Sequence, residues 1–176
     1  LVRQAVACAS ADAVRELISS QAARPTAPLI EPELILMESD SATKAEAIKE
    51  AVDRLYVLGR TEEPREVEQA VWQREAVYST GFGHGFAIPH CKTPAVNTNS
   101  IAVLKLRNPV AWGSLDHQPV RVMILLAIRE SEQAGLHMQI LSRLARKVMH
   151  DDFRDRLSHE QNPAALCAFL AESLSA

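Results

Sequence analysis

The stretch VRVMILLAI, residues 120–128, decides the fold class of this chain. Every residue in it except Arg121 is apolar, and most are valine, isoleucine or leucine. Short continuous apolar runs of this composition are typical of strands that are buried on both faces. Such a strand needs helices against each face, because an apolar face must be covered by another element. The stretch therefore predicts an interior strand of a helix-covered sheet.

Further strands and helices are predicted on both sides of this stretch. Residues 34–37 and 100–106 are predicted strands. Thr43 and Glu46 have the spacing of a capping box, and Asn162 is a candidate N-cap for the last helix. Apolar periodicity predicts helices over residues 41–59, 63–77, 136–149 and 162–174.

The interspersed order of these elements predicts an α/β fold, namely a mixed β-sheet flanked by helices on both faces. One charged run, residues 142–156, mixes both signs of charge. Such a run is typical of a solvated helix surface.

Bulk composition excludes several classes of protein. The chain has 176 residues, of which 47% are hydrophobic and 23% charged, with a formal net charge of −3. This charge gives no electrostatic case for nucleic acid or a membrane surface, and no apolar run is long enough to insert into a membrane. The cysteines Cys8, Cys91 and Cys167 are odd in number and widely spaced. They argue against a disulfide framework or a cysteine zinc site and favour the cytoplasm.

Proline spacing near the start of the chain divides it into two parts. Pro25, Pro28 and Pro32 interrupt any regular element, which is typical of a linker. We therefore predict a helical tail and proline-rich linker over residues 1–27, and one domain over residues 28–176. The first residue is leucine rather than methionine, so we expect the chain to be a piece of a longer protein.

A glycine-rich stretch, YSTGFGHGFAIPHCK at residues 78–92, leads to a Pro89–His90 pair. One interpretation is a β-turn with an ordinary histidine, because alternating glycines are common. A nucleotide-binding loop is excluded, since no G-K-[ST] follows and Pro89 stands where a phosphate-binding helix would begin. The third interpretation is a reactive His90 on a rigid backbone, where the glycines let bare backbone N–H groups face an anion beside it. A neutral imidazole can attack phosphorus without an external base.

A phosphoryl group on His90 would need cationic partners, and Arg74 is the first candidate. It follows Val67 and Val71 on the stripe of its helix that faces the core. A guanidinium there needs a partner, because a buried unpaired charge is costly. The partner is either a carboxylate or an anion at His90, unless Arg74 extends to solvent.

His137 is the second candidate, because it is the first residue of the apolar face of its helix. That face continues with Ile140, Leu141, Leu144 and Val148. A histidine in such a place is either a satisfied core residue or a group that, with the helix N-terminus, stabilises an anion. The combination of Arg74 and His137 favours the anion.

Other reactive groups are less favoured. Cys91 adjoins His90, but neighbouring residues of an extended segment point to opposite faces. A zinc site built from His84, His90 and His137 lacks a recognised ligand spacing, and His84 is interpreted as a loop residue.

Two motifs together resemble a known family. The segment Thr80–His90 matches the pattern TG-x-G-x-G-[apolar]-A-[apolar]-PH without a gap, and HMQILSRLAR begins at residue 137. Both are similar to the mannitol/fructose-type enzyme IIA domain of the bacterial phosphoenolpyruvate-dependent sugar phosphotransferase system. The resemblance extends over about residues 30–174.

The resemblance implies a phosphocarrier. It implies that His90 accepts a phosphoryl group from the carrier HPr and passes it to a cysteine of an enzyme IIB domain. Arg74 and His137 would support the phosphohistidine, and the neighbouring Ser79 and Thr80 would help to orient its ring. The family uses no metal, nucleotide or other cofactor. An apolar rim around Phe82 and Phe86 is expected to dock the partner.

Two matters stay open at this point. Residues 1–18 resemble the last helix of enzyme I, which suggests a multiphosphoryl transfer protein in which HPr-like and enzyme I-like modules are fused to enzyme IIA. The alternative function is a regulator related to the nitrogen-type branch, whose phosphorylation controls a protein partner. A structural module with an inert histidine is the third possibility.

Overall fold

The structure is a computed structural model that describes residues 27–132 and 135–175, so the predicted helical tail lies outside the described residues. The helices are α1 (Lys44–Val57), α2 (Pro64–Val77), α3 (Leu136–Val148), α4 (Asp151–His159) and α5 (Pro163–Ser175). The strands are β1 (Ile35–Ser39), β2 (Gly81–Gly83), β3 (Phe86–Ala87), β4 (His90–Thr93), β5 (Ser100–Val110) and β6 (Val120–Arg129). A short 3₁₀ helix, Pro32–Leu34, precedes β1.

Strand β6, the stretch from which the fold was predicted, is central to the sheet. It pairs with β5 in the antiparallel direction and with β3 and β4 in the parallel direction. The strand order is β1-β5-β6-β3-β2, and β4 also bonds to β6. Since β1 is parallel to β5 and β2 is antiparallel to β3, the sheet is mixed, as predicted.

Alternate residues of β6 divide the apolar core into two layers. Met123 and Leu125 face a layer formed by α1 and α2, whereas Ile124 and Leu126 face a layer formed by α3, α4 and α5. All four side chains are completely buried. Full burial of such a side chain contributes about 1.5–3 kcal/mol. This confirms the prediction of a sheet covered by helices on both faces.

The predicted caps are present in the structure. Thr43 Oγ1 accepts a hydrogen bond from the Glu46 N–H at 3.2 Å, and the Glu46 carboxylate reaches back to the Ala42 N–H at 2.7 Å. Asn162 Oδ1 accepts from the N–H groups of the second and third residues after it. These bonds satisfy N–H groups that a helix start leaves unpaired.

The structure corrects two details of the sequence analysis. The first predicted strand begins at Ile35, one residue later than expected, because Leu34 ends the 3₁₀ helix. The run 142–156 is not one solvated helix surface. It contains the end of α3 and the start of α4, and Phe153 of α4 is buried in the core.

The three glycines before His90 form a hairpin of β2 and β3. Gly83 and Gly85 have φ angles of 105° and 81°, in the left-handed region that favours glycine. The N–H groups of Gly81 and His84 bond to Ser79 Oγ and Asp116 Oδ2. The expectation that the glycines let backbone N–H groups face an anion is therefore wrong for these two groups. The glycines instead permit the turn and a close approach.

That close approach predicts a loss of stability in Gly81→Ala. A Cβ on Gly81 would lie 2.4 Å from Ser114 Oγ and 2.8 Å from Ser114 Cα. Because one of these atoms is backbone, we expect the free energy of unfolding in urea to fall by about 1–3 kcal/mol. Adding Ser114→Gly removes two of the three close atoms and should recover part of the loss. Equal stability of Gly81→Ala and the wild type would contradict the packing argument.

Among the described residues, no helix is both long and apolar enough to span a membrane.

Candidate functional site

His90 is the first residue of the edge strand β4. It lies opposite Leu126 of β6 and is 7% exposed. The preceding Pro89 has no N–H to donate to β6, so β3 and β4 are separate strands along the same edge. Cys91 belongs to the layer of α1 and α2. His90 consequently points to the opposite face, where α3 packs.

Hydrogen bonds to both ring nitrogens determine the tautomer of His90. Its Nδ1 lies 2.9 Å from the carbonyl oxygen of Ile88, and a carbonyl can only accept, so Nδ1 carries the proton. Its Nε2 accepts a hydrogen bond from Arg74 Nε at 3.0 Å. Nε2 thus carries the lone pair and is the nucleophilic position of the ring.

The environment keeps His90 neutral. Burial lowers the pKa of His90 from its ordinary value, and the nearby Arg74 and His137 lower it further. The bond to the Ile88 carbonyl and the charge of Glu75 act in the opposite direction without reversing the shift. An unprotonated ring at neutral pH is the form that can attack an electrophile.

Arg74 reaches His90 from the last turn of α2. Its Nη1 donates to the carbonyl oxygen of Tyr78 at 3.0 Å, while its Nε donates to His90. Arg74 as a whole residue is half-buried. Of the three alternatives for Arg74, the structure therefore favours proximity to His90 over a carboxylate partner or full exposure.

His137 lies in the first turn of α3, beside His90. The two ring centroids are 5.5 Å apart and the ring planes are tilted by 43°. Burial lowers the pKa of His137, and the charges of Lys92 and Arg74 lower it further. Within the part of the chain that the structure describes, its buried Nε2 has no hydrogen-bond partner. It is therefore not a satisfied core histidine, because the ring beside His90 keeps one nitrogen without a partner among the described residues.

The three residues selected from the sequence thus come together from two helices and one strand. Sequence reasoning missed Lys92, although it lies two residues after His90 and hence on the same face of β4. It also missed Glu75, a buried carboxylate next to Arg74. The available signal for Glu75 was its spacing, because it follows Val67 and Val71 at intervals of four residues and so lies on the apolar stripe of α2.

Several other expected contributors do not reach the ring. Thr80 Oγ1 donates to Glu75 and Ser79 Oγ donates to the Trp112 carbonyl, so both hydroxyls are engaged away from His90. Phe86 is only 3% exposed and packs in the core. The expected docking rim around Phe82 and Phe86 is accordingly wrong for Phe86.

The alternative chemistries find no support in the geometry. Burial raises the pKa of the Cys91 thiol to about 12, which makes it a poor nucleophile. His84 is exposed at the tip of the hairpin, with a φ of 55°. Across the described ranges, no group of three or more histidine, cysteine or acidic side chains is arranged to hold a metal ion.

Residues 28–173 match the family described as "Phosphoenolpyruvate-dependent sugar phosphotransferase system, EIIA 2". The chain belongs to this EIIA family. An EIIA domain is a phosphotransferase component. A neutral His90 with Arg74 and His137 beside it suits transfer of a phosphoryl group.

Curated relatives of this EIIA domain include longer proteins. It is 38% identical, over 99% of its length, to multiphosphoryl transfer protein 2 of Escherichia coli. The aligned part is 21% of that protein, so the chain spans about a fifth of this relative. It is 31% identical to the fructose-specific EIIA component of Haloferax volcanii, over 80% of the chain and 90% of that protein.

Solved EIIA structures have the same fold. The nitrogen regulatory protein IIA-Ntr from Neisseria meningitidis superposes with a TM-score of 0.75 at 26% identity, covering 81% of this chain and 96% of that one. The complex of mannitol enzyme IIA with phosphorylated enzyme IIB from Escherichia coli gives a TM-score of 0.67 at 26% identity, covering 82% and 99%. Both similarities extend over nearly the whole of those chains.

Proposed function

We propose that the domain is a cytoplasmic phosphocarrier that accepts a phosphoryl group on His90 from the phosphohistidine of HPr and passes it to a cysteine of enzyme IIB. The observation that carries the proposal is the arrangement at Nε2, whose lone pair accepts from Arg74 while His137 lies alongside. The fructose-specific relative favours uptake of a fructose-like sugar. Binding of enzyme IIB is supported by the mannitol complex.

The forward step is an in-line displacement at phosphorus. The Nε2 lone pair of His90 forms the new N–P bond, the N–P bond of the donor breaks, and its electron pair returns to the donor imidazole. Arg74 Nε, which occupies the Nε2 lone pair at rest, must turn to the phosphoryl oxygens as the group arrives. A short movement of one guanidinium therefore replaces a nitrogen acceptor by a charged oxygen, and charge-assisted bonds are the stronger ones.

The Nδ1–H bond to Ile88 stabilises the product. Phosphorylation at Nε2 leaves the ring with a proton on Nδ1, so positive charge develops there and the Ile88 carbonyl oxygen lies 2.9 Å away to accept it. In the reverse half of the cycle, a thiolate of enzyme IIB attacks phosphorus and the P–Nε2 bond breaks. The ring then recovers its lone pair, and the thiolate becomes a phosphocysteine.

The multiphosphoryl relative supports a further element of the proposal, in which HPr-like and enzyme I-like modules are joined to the domain. Residues 1–27 would then be the tail of the preceding module and its linker, and residues 28–176 the phosphocarrier domain. A tether of this kind raises the effective concentration of the donor histidine at His90.

A second candidate is a nitrogen-type regulator, whose phosphorylation controls a protein partner. The similarity to IIA-Ntr favours it, because that structure superposes with a TM-score of 0.75 against 0.67 for mannitol enzyme IIA. The phosphorylation chemistry at His90 is the same in both functions, so the fate of the phosphoryl group distinguishes them.

A transfer assay tests the proposed function. Incubation with labelled phosphoenolpyruvate, enzyme I and HPr is expected to label the chain, and omission of HPr to prevent labelling. Adding a fructose-type enzyme IIB domain should then move the label to IIB within seconds. Label that remains on the chain with IIB present would contradict the transport role and favour the regulator. A wild-type chain that takes up no label would overturn both.

A further inference from the structure

We propose that Glu75 is a positioning residue for the transfer step, because it closes the turn that holds the Arg74 guanidinium against His90. The inference rests on the proposed function of His90. Glu75 itself makes no contact with the ring that would give it a chemical part in the transfer. It acts through Arg74, its neighbour on α2.

The Glu75 carboxylate is buried and saturated with donors. It accepts hydrogen bonds from the Thr80 N–H at 3.1 and 3.2 Å, from the Thr80 hydroxyl, and from Lys44 Nζ at 2.7 Å. Its side chain is 3% exposed. A buried carboxylate in this state strongly resists movement, because losing any one donor leaves a desolvated negative charge less well paired.

The second hydrogen bond of Arg74 is made to a residue that lies between Glu75 and Thr80. The backbone from Glu75 to Thr80 leaves α2 and leads to the glycine hairpin, and the Tyr78 carbonyl lies inside this six-residue segment. Arg74 Nη1 donates to that carbonyl while its Nε donates to His90. The Glu75–Thr80 bonds therefore determine where the Tyr78 carbonyl lies, and the carbonyl in turn orients the guanidinium.

Two further contacts attach the turn to the rest of the domain. Trp112 Nε1 donates to Thr80 Oγ1 at 3.2 Å, and Lys44 Nζ lies 5.4 Å from the centroid of the Trp112 ring. Lys44 belongs to the first turn of α1 and Trp112 follows β5. The turn below Arg74 is thus linked to α1 through the Glu75 carboxylate and to the segment after β5 through the Thr80 hydroxyl.

The proposal predicts a defect in rate rather than in donor binding for Glu75→Gln. The amide can replace neither the charge nor all of the acceptor geometry, so Arg74 is expected to be less well aligned. We expect kcat for phosphorylation by phospho-HPr to fall about tenfold, with KM within about twofold, since misalignment affects the transfer step and leaves the outer surface intact.

The matched control is Glu50→Gln. Glu50 also accepts two hydroxyl bonds, from Ser39 and Ser41, but it joins α1 to the end of β1 and touches no residue of the site. Both variants are expected to lose stability, because each weakens a carboxylate that holds several donors. Only Glu50→Gln should keep the wild-type kcat, since Glu50 lies away from the site. All rates are measured at least 20 degrees below the melting temperature of each variant.

A measurement on the unphosphorylated protein separates this inference from the proposed function. Removal of the Glu75 charge lowers the pKa of His90 whether or not Arg74 moves, so the position of the guanidinium is read from the NMR resonances of Arg74 rather than from the titration of the ring. The Arg74 Nε–H resonance should broaden or shift in Glu75→Gln. Retention of the wild-type rate in Thr80→Ser but not in Thr80→Val, each in the otherwise native chain, would support the hydroxyl link.

The outcomes are distinct. A wild type that takes no label defeats the proposed function, whatever the variants do. A labelled wild type with Glu75→Gln matching Glu50→Gln in kcat and in the Arg74 resonance overturns the positioning role. A fall in kcat with the resonance changed supports it.

Discussion

His90→Ala is expected to lose all transfer of label from phospho-HPr, because it removes the nitrogen that forms the N–P bond. The neighbouring Cys91 cannot replace it, because burial raises the pKa of its thiol to about 12. The measurement is mass spectrometry of the chain under alkaline conditions, which preserve a phosphoramidate.

The control for this prediction is His84→Ala. His84 is exposed on the hairpin that leads to β4, so its loss tests whether any histidine of the glycine-rich stretch suffices. We expect this variant to be labelled as the wild type is. Acid-labile phosphate persisting in His90→Ala would end the assignment of the phosphorylated residue.

Arg74→Met is expected to slow phosphorylation by about 10- to 150-fold. Methionine keeps much of the apolar stem but removes the charge-assisted bond, which contributes about 1.5–3 kcal/mol. Arg74→Lys should be intermediate, because an ammonium supplies the charge without the planar fork. Arg65→Met, on the exposed first turn of the same helix, is the control and should leave the rate unchanged.

The pH profile of the same variant gives a second readout. Arg74 lowers the pKa of His90, so its removal should raise that pKa. Only the unprotonated ring attacks, and the rate therefore falls as pH drops through the pKa. In Arg74→Met the acid limb should begin at a higher pH than in the wild type. A limb that stays in place while the rate falls would show that Arg74 acts on the transition state alone.

The sequence predicted the sheet and the site residues for identifiable physical reasons. The apolar run of β6 can only be stable between two helical layers, and both layers are present. Arg74 and His137 were recognisable because each is a polar side chain on an apolar stripe, a position that requires a partner. The structure brings them together at His90, and their roles in transfer stay predictions.

Other parts of the structure had no local signal. The hairpin strands β2 and β3 are three and two residues long, too short for a periodic pattern to appear. Helix α4 was hidden by alternating charges around Phe153, its first buried residue. The bond between Glu75 and Lys44 joins residues separated by 31 positions. Only the folded chain brings such partners together.

The separation of the core by the sheet has a consequence for variation among such domains. Arg74 depends on α2, which packs on one side, whereas His137 depends on α3, which packs on the other. A cavity introduced beneath one helix would weaken one support of the histidine and spare its counterpart. The two neighbours of His90 can therefore be varied independently by mutations remote from its ring.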